Sequence, residues 1–338
     1  MPIDIVLDAM GSDKAPEPEI RGAILATRLL DVRVHLVGPE DLLRPKLREA
    51  LKSYTRGPRP PVFLVQASEW ISMDDKAALA VRSKRDSSMR IGLKMVREGR
   101  AAGFVTAGNT GAAMATAKMV LGSLAGIDRP ALATALPTTT GSPCVLLDVG
   151  ANVDSDPENL VQFAVMGHVY SRNVLHVPNP RVGLISIGEE DGKGNSLTRD
   201  TLPLLRELKG INFIGNVEGR DLFNGHCDVA VCDGFVGNVA LKTCEGTAKL
   251  LSVSLKESLK STVTSQVGAL LSRKAFTAFK KRLDYSEYGG AQLLGVRGAC
   301  IVGHGSSNER AIMNGIRIAA EFAQAEVNSG IEAALAAR

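Results

Sequence analysis

The stretch RVGLISIGEEDGKGNSLTRD, residues 181–200, changes character a third of the way along. Residues 181–187 form a short run rich in Val and Ile. Then Gly188, Gly192 and Gly194 alternate with Glu189, Glu190, Asp191 and the single cation Lys193. A short apolar run bounded by a glycine-rich turn reads as a buried strand. The same change recurs along the chain and predicts strands at 3–7, 33–37, 61–65, 103–106, 143–148, 181–187, 212–215, 228–232 and 299–302. Longer stretches of helical period separate them. This is the pattern of βα units around a mostly parallel sheet, so the chain is read as one α/β domain spanning residues 1–338. Only 54–61, with Gly57, Pro58, Pro60 and Pro61, reads as an irregular linker, and it joins a helix to a strand without marking a domain boundary.

Nearly every predicted strand ends in Gly, Asp or Asn or runs directly into one, and in open α/β sheets ligands sit beyond the carboxyl ends of the strands. Five such endings combine Gly with Asn, Ser or Thr: 8–13, 107–111, 148–152, 233–238 and 303–308. Glycine lets backbone N–H groups approach a ligand, and a helix starting behind the loop favours negative charge. Phosphate or carboxylate binding follows. For 186–200 itself the residues leave two readings open. Three acids suit a divalent metal, although such sites usually draw acids from several loops. Lys193 between two glycines suits an anion.

The composition excludes several classes. Net charge is +4, with one Trp and four Tyr, too little for a nucleic-acid surface. No run of apolar residues is long enough to span a bilayer, and the first residues carry an acid where an export signal carries basic residues, so a cytoplasmic protein is expected. Cys144, Cys227, Cys232, Cys244 and Cys300 are odd in number and widely spaced, as reduced buried thiols are. The sequence contains no G-x-S-x-G and no H-E-x-x-H. His35, His168, His176 and His226 stand outside any ligand constellation, whereas His304 lies inside a glycine loop. No cofactor or metal is expected.

One segment breaks the alternation. From 246 to 283, Leu251, Leu255, Leu259, Val263, Val267 and Leu271 recur every four residues, and nine Lys or Arg against two Glu between 242 and 282 leave a local excess of seven positive charges. This predicts a protruding helical hairpin with an apolar, basic tip around Val267, Leu270 and Leu271. An exposed patch of this kind marks an interface, either with a second copy or with a membrane surface.

The chain resembles the phosphate acyltransferases of bacterial phospholipid synthesis in Asp8-Ala9-Met10-Gly11, in Lys84 through Arg90, in Ala107 through Ala112, in Gly126 through Ala131 and in Leu147 through Asn152. The likeness continues in Gly188-Glu189-Glu190 with Lys193-Gly194, in Asp233 through Lys242, in Tyr288 through Ala291 and in His304 through Ser307. Ser12, the short Met73-Asp74-Asp75-Lys76 segment and Gln292 depart from the family pattern.

The resemblance implies a three-layer α/β/α fold related to phosphotransacetylases and to isocitrate and isopropylmalate dehydrogenases. It implies transfer of a long-chain acyl group from acyl-acyl-carrier-protein to inorganic phosphate, without a covalent enzyme intermediate. It places Lys193 and Asn238 at the catalytic centre, with Asp8, Gly11, Asn109, Thr110, Gly111, His304, Ser306 and Ser307 around phosphate and substrate. It also implies a homodimer, peripherally attached to the inner face of the cell membrane, that passes acyl phosphate to a membrane glycerol-3-phosphate acyltransferase. Acyl carrier protein is acidic, which suits docking by Arg273, Lys274, Lys280, Lys281 and Arg282. The rival readings are a phosphotransacetylase using acyl-coenzyme A, an NAD-dependent decarboxylating dehydrogenase, and a non-catalytic membrane scaffold. The basic apolar hairpin disfavours the first, the clustering of acids in one turn the second, and five polar glycine loops the third.

Overall fold

Eleven strands join in one continuous sheet in a computed structural model that describes residues 1–52, 58–283 and 290–338, the side chains of 278 and 280–283 apart. In chain order they are β1 (Ile3–Asp8), β2 (Val32–Gly38), β3 (Val62–Gln66), β4 (Gly103–Thr106), β5 (Ala131–Leu136), β6 (Cys144–Leu147), β7 (Arg181–Ile185), β8 (Asn212–Val217), β9 (Val229–Val231), β10 (Ala291–Leu294) and β11 (Ala299–Val302). Across the sheet they run β3-β2-β1-β4-β11-β10-β5-β6-β9-β7-β8.

All nine strands read from the sequence are present, within a few residues at their ends. The two that the sequence did not disclose, β5 and β10, sit in the middle. β5 is Ala-Leu-Ala-Thr-Ala-Leu, and alanine is poor in strand propensity. β10 has four residues and follows a glycine at φ +99°. Both matter for direction. Seven of the ten strand pairs are parallel; the three antiparallel ones are β11·β10, β10·β5 and β5·β6. The sheet is therefore two parallel half-sheets of opposite direction, spliced by β10 and β5.

Alternation along the strands feeds cores on both faces. Ile5 and Leu7 pack in one cluster and Val6 in another; Val145 and Leu147 face away from Leu146 in the same way. On one face lie α1 (Glu17–Leu29), α2 (Glu40–Lys52) and α12 (Glu309–Gln324), with α6 (Pro157–Asn173), α7 (Ser196–Glu207) and α13 (Val327–Ala336) over the other half-sheet. The opposite face carries α3 (Ala77–Ser83), α4 (Ser88–Arg97) and α5 (Thr110–Leu121), then α8 (Asp221–Asn224) and the first turns of α9 (Gly234–Lys260).

The expected hairpin differs in construction. Its first helix starts at Gly234 rather than 246, because the Asp233 side chain caps it through the amide of Val236 at 2.9 Å. The return is made of two pieces, α10 (Val263–Leu271) and α11 (Arg273–Leu283). Thr262 starts α10 by accepting from the amide of Ser265 at 3.1 Å. Among the described residues no helix is long and apolar enough to cross a membrane.

Close packing on the sheet depends on small residues. A Cβ at Gly167 of α6 would stand 2.5 Å from Val229 Cγ1 and 2.9 Å from Leu147 Cδ2, neither free to move. Gly167→Leu is expected to push α6 off the sheet and cost about 1–3 kcal/mol. Thermal denaturation checks this as a fall in Tm of several degrees with the far-ultraviolet spectrum retained.

Candidate active site

The register of the hydrogen-bond ladders explains where a ligand can sit. Leu7 pairs with Val105, and Thr106, at the end of β4, pairs with Val302 at the end of β11. Val302 pairs with Ala291 and Gln292 with Ala133, and Ala133 pairs with Leu147, which ends β6. Leu147 then pairs with Val231, and Val231 with Leu184. The carboxyl ends of both half-sheets thus meet along one line across the middle of the sheet. Glycine loops from opposite directions face each other there, over a cavity of about 540 Å³.

Three loops from the first half-sheet interlock at its edge. Gly11 packs so tightly that a Cβ would lie 2.8 Å from the amide nitrogen of Gly108. Asp13 N–H donates to the Gly305 carbonyl at 2.8 Å, and Gly303 N–H to the Thr106 carbonyl at 2.7 Å. From the second half-sheet comes the loop after β6, organised by Asp148. Its fully buried carboxylate accepts from the amides of Leu132, Gly150, Ala151 and Asn152 and from Asn152 Nδ2, at 2.6–3.2 Å. That set of bonds holds Gly150, at φ +130°, against Asn238 in the first turn of α9.

Of the residues expected from the sequence, Thr110, Gly111, His304 and Asn238 line the cavity. Asp8 does not reach it: the carboxylate is buried beneath the loop, accepting from Thr106 Oγ1 at 2.8 Å and the Met10 amide at 3.1 Å, and burial pushes its pKa up. Asn109 spends its carboxamide on the scaffold. Its Oδ1 caps α5 through the Ala112 amide at 3.0 Å, and its Nδ2 donates to the carbonyls of Met73 and Asp75. Ser306 and Ser307 brace the histidine loop. The Ser306 amide donates to His304 Nδ1 at 3.1 Å, so the neutral ring carries its proton on Nε2. The Ser307 hydroxyl donates to the His304 carbonyl at 2.6 Å.

Lys193 is exposed on the loop after β7, the strand next to β9 from which α9 departs, and outside the cavity wall. The acids around it pair with arginines instead of converging: Asp191 with Arg206 at 2.5 and 2.7 Å, and Glu189 with Arg220 at 3.1 Å. The Arg206 guanidinium holds the Asp191 carboxyl below its usual range. The Glu190 carbonyl takes the Lys193 amide at 3.0 Å and Asn216 Nδ2 at 3.1 Å, so this segment shapes its own turn.

Among the described residues, Lys242 is the lysine that lines the cavity, one helical turn beyond Asn238 and paired with Glu245 at 2.9 Å. A helix starting at 234 puts 238, 241, 242 and 245 on one face, so the spacing from Asn238 was the signal. Asp13, also on the wall, was hidden in a loop read for its glycine. Of the motif at 288–291, Tyr288 and Gly289 lie outside the described residues, while Gly290 and Ala291 line the cavity.

A family model described as fatty acid synthesis protein matches residues 3–330. A phosphate acyltransferase of Acidobacterium capsulatum is 70% identical over 334 residues, covering 99% of this chain and 97% of that one. Among solved structures, a phosphotransacetylase from Streptococcus pyogenes aligns with a TM-score of 0.63 at 16% identity, over 96% of this chain and 94% of its own. A 4-hydroxythreonine-4-phosphate dehydrogenase from Klebsiella pneumoniae aligns with a TM-score of 0.54 at 14% identity, over 96% and 98%. At these identities the two structures speak to fold alone.

A second buried carboxylate underlies the first loop. Glu19 Oε1 accepts from the Ser12 amide at 2.9 Å, and burial pushes its pKa up to about 7. A raised carboxyl pKa means that the folded chain holds a proton the unfolded chain has released, so this site makes stability fall as pH rises from about 4.5 to about 7. Glu19→Gln keeps the acceptor and removes the charge. Denaturation at pH 5 and pH 8 is expected to show a flatter stability profile for the variant, with a relative gain at the higher pH of up to roughly 3 kcal/mol.

Proposed function

Because the chain belongs to the phosphate acyltransferases, which transfer an acyl group to phosphate in fatty acid and phospholipid synthesis, we propose that its donor is a long-chain acyl-acyl-carrier-protein and its product an acyl phosphate for glycerol-3-phosphate acylation. The observation that carries this reading is the cavity in which glycine loops of two opposed half-sheets surround Asn238, His304 and Lys242. A phosphate oxygen attacks the thioester carbonyl, a C–O bond forms, the C–S bond breaks, and the carrier sulfur leaves as a thiolate that takes up a proton. The chain supplies position and charge compensation, which suits the absence of a nucleophile motif. The Asn238 amide donates to the oxyanion, and Lys193, from its loop outside the cavity wall, offsets phosphate charge at longer range. Lys242 shares that role from the cavity wall.

The arm supports the remaining assignments. Beyond Gly237 no residue of α9 is fully buried, which leaves its long face for a second copy in a homodimer. Arg273 and Lys274 are exposed on α11 and offer a basic surface for acidic acyl carrier protein, while the side chains of the expected Lys280, Lys281 and Arg282 lie outside the described residues. Val267, Leu270 and Leu271 are 53%, 70% and 82% exposed on α10, and suit shallow contact with the inner face of the cell membrane, where a glycerol-3-phosphate acyltransferase accepts the product.

Incubation with palmitoyl-acyl-carrier-protein and phosphate is expected to yield acyl phosphate, with acyl-coenzyme A and NAD⁺ plus Mg²⁺ as controls. Asn238→Ala and Lys193→Ala should each lower kcat roughly 10²- to 10³-fold, the typical loss for one oxyanion donor. Undiminished turnover would remove them from the centre. For the arm, Leu271→Glu is expected to abolish sedimentation with anionic liposomes, and carrier-protein binding should weaken as salt rises.

A further inference from the structure

Beyond Asn238, α9 leads out of the polar cavity into a second one of about 680 Å³ whose chemistry is different. Its walls include Leu136 at the end of β5, Phe223 of α8, and Leu241, Ala248 and Leu251 of α9. The Thr139 amide on its rim is already bonded to the Phe223 carbonyl at 2.8 Å, so that stretch of backbone is spoken for. Leu241 and Glu245 line both cavities, so the two adjoin along this stretch of α9. Where they adjoin, Glu245 pairs with Lys242 on the polar side, and the walls beyond it are mainly apolar with threonines among them.

We propose that this second cavity holds the acyl chain of the donor, its carbonyl at Asn238 and its tail running along α9 past Ala248 toward Leu251. The proposal rests on the acyl-transfer reading above and says where on this chain the apolar part of the substrate lies. Two observations select a hydrocarbon chain as the occupant. One is that it adjoins the cavity where the carbonyl reacts, sharing Leu241 and Glu245 with it. The other is length: at 1.5 Å per residue, Asn238 to Leu251 spans about 20 Å, the reach of a long acyl chain and far more than an acetyl group needs. The volume falls in the ordinary range for small-molecule sites, and apolar walls stabilise the chain by removing its surface from water.

The test fills the cavity from either wall. Ala248→Trp, and separately Thr139→Phe from the opposite side, are assayed on palmitoyl and hexanoyl donors with the oligomeric state measured alongside. The expected result is a loss in kcat/KM for the palmitoyl donor of at least about tenfold, the scale on which apolar pockets discriminate chain length, with hexanoyl turnover within about twofold of the parent. Equal losses for both donors, or none for either, would overturn the proposal. So would a change of oligomeric state accompanied by uniform loss, which would assign the cavity to contact between copies. If the parent protein makes no acyl phosphate from either donor, the function reading itself fails, a result distinct from failure of the cavity assignment.

Discussion

Three antiparallel pairings in succession, β11·β10, β10·β5 and β5·β6, reverse the direction of the sheet at its middle, and this reversal governs the rest of the molecule. In a sheet running one way throughout, all carboxyl ends would lie along a single outer rim. Here the two half-sheets run toward each other, and their ends meet in the middle of the structure. Loops that are far apart in sequence, such as 8–13 and 233–238, become opposite walls of one cleft. Alanine suits such a strand. All six residues of β5 are buried, and small side chains let layers on both faces close over it.

The reversal was also the least legible part of the fold. Val- and Ile-rich runs ended by Gly, Asp or Asn gave away nine strands, because strand propensity and turn chemistry agree there. β5 and β10 carry neither signal. Their pairing is decided by burial between neighbouring strands, which is tertiary context overriding local preference. The anion-binding character of the strand ends could be read in advance. That loops of opposite half-sheets would converge could not, since it depends on register across six strands.

The site divides along a similar line. Glycine positions pointed correctly to the loops, but several polar side chains within them turn out to build the scaffold. Asn109, Ser306, Ser307 and Asp8 are occupied by a helix cap, the His304 ring nitrogen, a carbonyl and a buried hydroxyl, so the backbone they hold is what faces the cavity. Asp148 is the strongest instance, with five N–H donors on one carboxylate. Lys242 was obscured for the opposite reason: its meaning depends on the helix beginning at Gly234, twelve residues before the start expected for the hairpin.

α9 joins two places that otherwise share little. Its beginning carries Asn238 on the cavity wall and its last turn reaches Lys260 at the far end of the arm, 27 helical residues in one piece, or about 40 Å. A rod of that length works as a gauge. Whatever surface the arm rests on, the reacting carbonyl is held at a set stand-off from it, and a small tilt at the far end is delivered to Asn238 as a change in aim.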